Sequence, residues 1–273
     1  MSDKATDPTY LRYQYGDAEK LQIRQEAHRL YSEETLPLAE WLLPLVAPAA
    51  GQMLLDVGCG PGMYHAELAE MGVQVLGLDM SFGMLTQART QTASSSRQNQ
   101  VVQAVAEYLP VPSESCDRLM ANHMLYHVPD QLAALREMRR VLKPGGRLII
   151  TANSADSYAA LYTVHAEMAR ALGYTPSRNN VNDAFNSTHL DRVRRVFPDA
   201  EVHMRHDAFL FPDADAALRF YSSMMVDSLA DVPDDNSHQQ VLLPAVRERI
   251  ATIIAEEGVF RVPKGVGCFV AET

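Results

Sequence analysis

Residues 53–62 read Met-Leu-Leu-Asp-Val-Gly-Cys-Gly-Pro-Gly. The short apolar run at 53–57 is typical of a buried strand, and the three alternate glycines indicate a tight turn that a ligand can approach closely. A helix is predicted directly after the turn, over 64–71. This order of strand, glycine-rich turn and helix predicts a nucleotide-binding turn, although any tight strand-to-helix turn also favours glycine.

Predicted strands and helices alternate from this stretch as far as residue 152. Further short, apolar strands are predicted at 73–79, 101–106, 117–122 and 147–152. Strands that are buried on both faces and joined by helices are typical of a parallel, doubly wound sheet. Beyond that sheet, helices are predicted at 157–172, 188–197 and around 241–254, and extended segments at 200–211 and 267–271.

A carboxylate ends the second predicted strand. Asp79 follows Gly58 by 21 residues, and a carboxylate at that point can accept hydrogen bonds from both hydroxyls of a ribose. The spacing therefore favours an adenosine-containing ligand. The alternative is that Asp79 only caps the helix that follows it.

Composition excludes several classes of partner. The 273 residues carry 24 Lys and Arg against 34 Asp and Glu, a net charge of −10, which argues against nucleic acid or an anionic membrane as the main partner. Three widely spaced cysteines do not make a disulfide framework, so we expect a cytoplasmic protein. The polar N-terminus lacks the apolar run of a signal peptide, no membrane-spanning stretch is expected, and no metal site is expected.

Four segments together resemble class I S-adenosylmethionine-dependent methyltransferases. Residues 54–62 resemble their first motif, and 106–110, 122–128 and 140–148 agree with later motifs in order and spacing. The chain ends, including 10–28, 183–186 and 257–262, resemble the small-molecule branch typified by ubiquinone and menaquinone biosynthesis. The resemblance implies an α/β, Rossmann-like, mostly parallel seven-stranded sheet with an N-terminal helical lid and C-terminal helical insertions.

The resemblance also implies how the chain is organised. Residues 1–50 would form the lid, 51–153 the S-adenosylmethionine-binding core, and 154–273 the acceptor-pocket helices and final strands, all within a single domain.

The implied cofactor is S-adenosylmethionine. Asp56 would reach its amino group, Asp79 its ribose, and Met80 its adenine; the contacts expected from the resemblance are Tyr15, Arg24, Asp56, Gly58, Cys59, Gly60, Gly62, Asp79, Met80, Ala106, Glu107 and Asn122. Val105 stands where related proteins usually carry an acidic residue, so Glu107 or backbone carbonyls would replace that contact.

Two of those residues belong to the lid. Arg24 would pair with the methionyl carboxylate, and Tyr15 would cover the sulfonium. The alternative is a solvated arginine and a packed tyrosine.

A base is needed only if the acceptor must lose a proton. His127 is the first candidate and His123 the second, with Tyr126 between them to orient the acceptor; alternatively, these histidines only hydrogen-bond the loop. Their spacing is not that of a zinc-binding helix.

The acceptor pocket is expected to include Arg178, Asn182, Phe185 and Asn186. A flexible loop and core packing are the alternatives for this segment.

The expected function is transfer of a methyl group to a polar small molecule by in-line displacement, in secondary or specialised metabolism. The alternatives are an NAD(P)-dependent oxidoreductase on a similar fold and a non-catalytic cofactor-binding protein. The G-x-G-x-G spacing argues against the oxidoreductase, whose motif is G-x-G-x-x-G. A homodimer is left open.

Overall fold

The computed structural model describes residues 18–92, 100–177 and 181–273. Tyr15 and Arg178 therefore lie outside the described residues. The helices are α1 (Ala18–Tyr31), α2 (Leu38–Val46), α3 (His65–Glu70), α4 (Phe82–Thr92), α5 (Gln131–Val141), α6 (Ala159–Ala171), α7 (Val181–Ala184), α8 (Leu190–Arg194), α9 (Ala214–Met224) and α10 (Ser237–Glu257), with a 3-10 turn at Leu125–His127. The strands are β1 (Met53–Val57), β2 (Gln74–Asp79), β3 (Gln100–Gln103), β4 (Cys116–Asn122), β5 (Leu142–Asn153), β6 (Glu201–Phe211) and β7 (Phe260–Glu272).

The described strands form a seven-stranded sheet in the order β3-β2-β1-β4-β5-β7-β6. Neighbours from β3 to β5 pair in parallel, and β7 pairs antiparallel to β5. The predicted α/β fold with a mostly parallel seven-stranded sheet is therefore confirmed. Because the strand order reverses between β1 and β4, the carboxyl ends of these two strands border the crevice in which such sheets bind ligands.

Local chemistry sets the element boundaries. The Asp130 side chain accepts a hydrogen bond from the Ala133 amide at 2.9 Å and caps α5, and the apolar face of that helix is buried. β3 ends at Gln103 instead of continuing to residue 106, because Gln103 pairs with Asp79, the last residue of β2. Beyond it, the Tyr108 amide turns back to the Val105 carbonyl. β5 and β7 both begin earlier than predicted, at Leu142 and Phe260.

The contacts divide the chain into two compact units. Within the described residues, the larger unit comprises Leu36–Ala155, Asn182–Arg205 and Val266–Thr273, and the smaller unit comprises the described parts of Met1–Thr35, Asp156–Val181 and His206–Gly265. The larger unit holds β1 to β5 and the glycine-rich turn. β6 and β7 each run through both units. The three consecutive segments expected from the sequence stay a prediction.

Each unit has an apolar core. In the larger unit, α2 packs Leu42, Leu43 and Val46 with Leu54 of β1. In the smaller unit, a cluster of phenylalanines from β6 and α9 is fully or almost fully buried. None of the helices among the described residues combines the length and apolarity that a membrane span requires.

Candidate active site

The glycine-rich turn follows β1 at the point where the strand order reverses. Gly58, Gly60 and Gly62 all have positive φ, at 70°, 53° and 77°, which other residues adopt only with strain. A Cβ on Gly58 would lie 2.6 Å from the Cβ of Met124. Met124 follows β4, so this close approach brings together the loops after the two strands that border the crevice.

The amides of this turn are already used within the protein. The Gly58 and Cys59 amides donate to the Leu78 carbonyl at 2.7 and 2.9 Å, and the Gly62 amide donates to the Cys59 carbonyl at 3.0 Å. The Gly60 amide donates to Oδ2 of Asp79 at 2.9 Å, and Pro61 has no amide hydrogen. At residues 58–62 the turn therefore offers no free amide of the kind with which a dinucleotide-binding turn holds pyrophosphate.

Asp79 lies at the end of β2 beside the turn. Its Oδ2 accepts from Gly60, and its Oδ1 accepts from the Ser81 amide at 2.8 Å. Each carboxylate oxygen can accept a further hydrogen bond, so both can still receive ribose hydroxyls. Burial raises the pKa of Asp79, although the backbone hydrogen bonds from Ser81 and Gly60 oppose that shift.

Asp56 and His65 form a buried pair beneath the turn. Asp56 is 2% exposed and His65 is fully buried, and the His65 Nε2 lies 3.0 Å from the Asp56 Oδ2. Sequence reasoning found Asp56 but missed His65. The available signal was Gly77: a Cβ there would lie 2.7 Å from the His65 ring, and a glycine inside a strand often marks such a close approach.

The field around the turn is negative. Burial, with the charges of Asp56 and Asp79 as further causes, raises the pKa of the Cys59 thiol far above its usual range. Its side chain packs with Leu85, Ala88 and Val101. The Cys59 amide and carbonyl also form hydrogen bonds of the turn, so this residue stabilises the turn. Its predicted contact with a cofactor stays a prediction.

Asn122 ends β4 and borders the crevice from the other side. Its Oδ1 accepts from the Thr151 hydroxyl at 3.1 Å. Its Nδ2 is buried and, among the described residues, has no hydrogen-bond partner. A buried donor without an acceptor is unfavourable, so this amide fits a ligand that supplies an acceptor.

The three candidate catalytic residues, His123, Tyr126 and His127, lie just after Asn122 in the chain. His123 has a φ of 49°, and its amide donates to the Thr151 carbonyl at 3.0 Å. Burial lowers the pKa of His123 to about 4, so its imidazole is neutral at physiological pH. Tyr126 is buried, and its ring meets the ring of His127 edge-on at 4.4 Å between centroids.

The residues expected near adenine lie along the ends of β2 and β3. Met80 is 50% exposed, and its carbonyl accepts from the Gln103 side chain at 2.9 Å. Ala106 is buried, and the Glu107 carboxylate lies 3.5 Å from the Asp130 amide. Their contacts with adenine stay predictions.

The expected acceptor residues are mostly engaged in packing. Phe185 is fully buried against Phe269, with ring centroids 5.4 Å apart. Asn182 accepts from Asn153 at 2.9 Å, and the Asn186 side chain donates to the Asn182 carbonyl at 2.8 Å. These contacts hold the chain beyond β5 in place, and a role in acceptor binding stays a prediction.

Arg24 lies on α1, in the smaller unit. Its Nε donates to the Lys20 carbonyl at 3.1 Å, so its predicted pairing with a ligand carboxylate stays a prediction. Across the described ranges, no cluster of three or more His, Cys, Asp and Glu side chains has a metal-binding arrangement.

A family model described as a methyltransferase domain matches residues 55–150. This part of the chain is therefore similar to methyltransferase domains. The matched residues contain part of β1, all of β2 to β4, most of β5 and the complete glycine-rich turn, which agrees with the resemblance found in the sequence.

Relatives with similar sequences are also named as methyltransferases. The ubiquinone biosynthesis O-methyltransferase of Xanthomonas oryzae pv. oryzae (strain PXO99A) is 39% identical over 126 residues, which is 45% of this chain and 53% of that protein. The chain thus spans about half the length of this relative.

Solved structures share the fold of this chain both within residues 55–150 and beyond them. Phosphoethanolamine N-methyltransferase 2 of Haemonchus contortus, solved with S-adenosyl-L-methionine, is 18% identical with a TM-score of 0.58, covering 97% of this chain and 59% of that one. The [4+2]-cyclase SpnF is also 18% identical, with a TM-score of 0.51, covering 86% of this chain and 80% of that one. At these identities the likeness shows the fold alone, and the cyclase shows that one fold serves different reactions.

Proposed function

We propose that this protein is an S-adenosylmethionine-dependent methyltransferase that methylates a small polar molecule. The observation that carries the proposal is the turn after β1, whose amides are all used internally while a carboxylate lies on each side. Such a turn suits a cationic nucleoside without phosphates. S-adenosylmethionine has that chemistry, because it carries a sulfonium and an ammonium group and no phosphate.

The residues of the crevice fit this cofactor. Asp79 has acceptor capacity left for the ribose hydroxyls, and the Asp56 carboxylate provides an anion for the ammonium group. The buried Asn122 Nδ2 offers a hydrogen bond to the methionyl part of the cofactor. Both carboxylates also stabilise the positive sulfonium through the negative field that they create at the turn.

When bound, the cofactor supplies an activated methyl group, so the protein mainly has to position the acceptor and exclude water. His123, Met124 and Tyr126 border the crevice on the β4 side, and we propose that the acceptor binds there. His123 is neutral at physiological pH, but its lowered pKa makes it a weak base. We therefore retain His127 as the base for an acceptor that must lose its proton, and His123 as a hydrogen-bonding partner.

The acceptor is proposed only as a class. The relative named for ubiquinone biosynthesis favours a hydroxyl acceptor and primary metabolism. It gives no support to the specialised metabolism expected from the sequence. The three buried, unpaired cysteines support a reducing, cytoplasmic location.

Calorimetric titration tests the proposal. Wild-type protein should bind S-adenosylhomocysteine and S-adenosylmethionine, and should bind NADH much more weakly or not at all. Asp79→Asn should weaken cofactor binding by at least about tenfold, since hydrogen bonds to a charged group are strong. The exposed Asp199 provides the matched control, because Asp199→Asn should bind like the wild type.

Two results would overturn parts of the proposal. Tight NADH binding without any binding of S-adenosylmethionine would favour an oxidoreductase. Cofactor binding that depends on Asp79, with no methyl transfer to any acceptor in a broad screen of phenols, alcohols and amines, would favour a non-catalytic cofactor-binding protein.

A further inference from the structure

His65 lies in a space that two glycines leave open. A Cβ on Gly62 would lie 2.8 Å from the His65 Nδ1, and a Cβ on Gly77 would lie 2.7 Å from its Cε1. Gly77 pairs with Asp56 across β1 and β2. The two glycines therefore allow the imidazole to lie under the turn and reach the carboxylate on the neighbouring strand.

The contact between His65 and Asp56 uses only one oxygen of the carboxylate. His65 Nε2 hydrogen-bonds to Oδ2 at 3.0 Å. Among the residues that the structure describes, no other group hydrogen-bonds to the Asp56 carboxylate. A carboxylate rotates easily about its last bond unless a neighbour fixes it, and a hydrogen bond to one oxygen fixes the direction of the other.

We propose that His65 is a positioning residue for cofactor binding: it holds Oδ2 of Asp56 so that Oδ1 faces the amino group of the cofactor's methionyl part. This inference rests on the proposed function, because it assigns a partner to the carboxylate that the proposed cofactor would use. His65 itself would not touch the cofactor.

The arrangement also accounts for how the carboxylate tolerates burial. A buried charge needs a hydrogen-bonding partner, and loss of one partner leaves the other unsatisfied. With His65 present, Asp56 keeps one satisfied oxygen before the ligand arrives. The ammonium group of the ligand then satisfies the second oxygen, so binding needs little reorganisation at this site.

Two amide substitutions separate positioning from packing. The amide nitrogen of glutamine can reach the place of the imidazole Nε2, whereas the shorter asparagine side chain cannot. His65→Asn should raise the dissociation constant for S-adenosylhomocysteine by about tenfold, the effect of one lost charge-assisted hydrogen bond. His65→Gln should stay within about threefold of the wild type.

A second histidine–aspartate pair provides the control. In the smaller unit, fully buried His238 lies 2.8 Å from Asp227 through its Nε2. His238→Asn should lower the melting temperature and leave the dissociation constant unchanged. Once an acceptor is known, His65→Asn should raise KM for the cofactor with little change in kcat, a split that general destabilisation does not produce.

The outcomes distinguish this inference from the proposed function. A wild-type protein that binds no S-adenosylhomocysteine would refute the proposed function. A wild-type protein that binds it, together with equal dissociation constants for His65→Asn and His65→Gln, would refute the role of His65 alone.

Discussion

Replacing Gly58 by alanine should destabilise the larger unit more than the same change at Gly60. Both glycines have positive φ, so alanine at either position costs about 1–2 kcal/mol in backbone strain. Only at Gly58 does the new Cβ meet a neighbour, at 2.6 Å from Met124 Cβ and 2.8 Å from its Cγ, whereas nothing lies within 4 Å of a Cβ at Gly60. Overpacking of that kind adds about 1–3 kcal/mol.

Fluorescence during urea unfolding measures this difference. Trp41 is the only tryptophan of the chain and packs against the core of the larger unit, so its emission reports on the unit that contains the turn. Gly60→Ala should lower the free energy of unfolding by about 1–2 kcal/mol and Gly58→Ala by about 2–5 kcal/mol.

Substitutions at Met124 test whether the contact with this residue causes the extra destabilisation by Gly58→Ala. Met124→Ala removes the Cγ contact but keeps the closer Cβ contact, so it should relieve only part of the strain of Gly58→Ala, whereas Met124→Gly removes both contacts and should relieve more of it. A double-mutant cycle of Gly58→Ala with Met124→Gly should therefore show a favourable coupling energy of about 1–3 kcal/mol. Equal destabilisation at Gly58 and Gly60, or the same coupling with alanine as with glycine at Met124, would refute this reasoning.

Three further predictions concern charged and titratable groups. Lys264→Met should lower the free energy of unfolding by about 3–5 kcal/mol in a denaturant titration, because it leaves the largely buried side chain of Asp207 without its ion-pair partner; a loss below about 1 kcal/mol would contradict this. Affinity for S-adenosylhomocysteine should rise with pH through the raised pKa of Asp79, because only the ionised carboxylate accepts both ribose hydroxyls, and calorimetry on Asp79→Asn should show no such rise. His127→Ala should lower turnover about 100-fold or more if the acceptor loses a proton and leave cofactor affinity unchanged; unchanged turnover would remove His127 from the mechanism.

Asp207 and Asp79 should make the stability of the protein depend on pH in opposite directions. Burial opposes ionisation of Asp207, yet hydrogen bonds from Lys264 and from two amides hold its pKa below the usual range. Its contribution to stability is therefore present above the ordinary carboxyl pKa and is lost as the pH falls through the lowered value. Asp79 has a raised pKa, so its protonated form favours folding, and that contribution is lost as the pH rises through the raised value.

The sheet and the glycine-rich turn could be predicted because their signals are local in the sequence. Apolar runs mark the buried strands, and the glycines and Asp79 follow directly at strand ends. The register that brings Leu78 beside the turn is not local. The G-x-G-x-G spacing argues against a dinucleotide-binding turn, but only the structure shows the physical reason, which is that the Leu78 carbonyl accepts the Gly58 and Cys59 amides.

The other features that the sequence did not reveal depend on distant partners. His65 is one of nine histidines, and nothing in its own neighbourhood distinguishes it from a surface residue. The early start of β7 was hidden by Pro263 and Lys264, which interrupt its apolar pattern. Lys264 can be buried in that strand only because Asp207, on β6, neutralises it and Phe209 lies 4.5 Å from its Nζ.

The electrostatics of the turn also bear on turnover. The negative field from Asp56 and Asp79 attracts the positive sulfonium. It attracts the neutral thioether that remains after methyl transfer less strongly. The ribose and ammonium contacts are the same before and after the reaction, so the difference comes from the charge at sulfur. The crevice should therefore bind S-adenosylmethionine more tightly than S-adenosylhomocysteine, and this preference should narrow when Asp79 is replaced by asparagine. A crevice that held its ligand through phosphate-binding amides would instead create a positive field, which disfavours the sulfonium, so its preference should be the reverse.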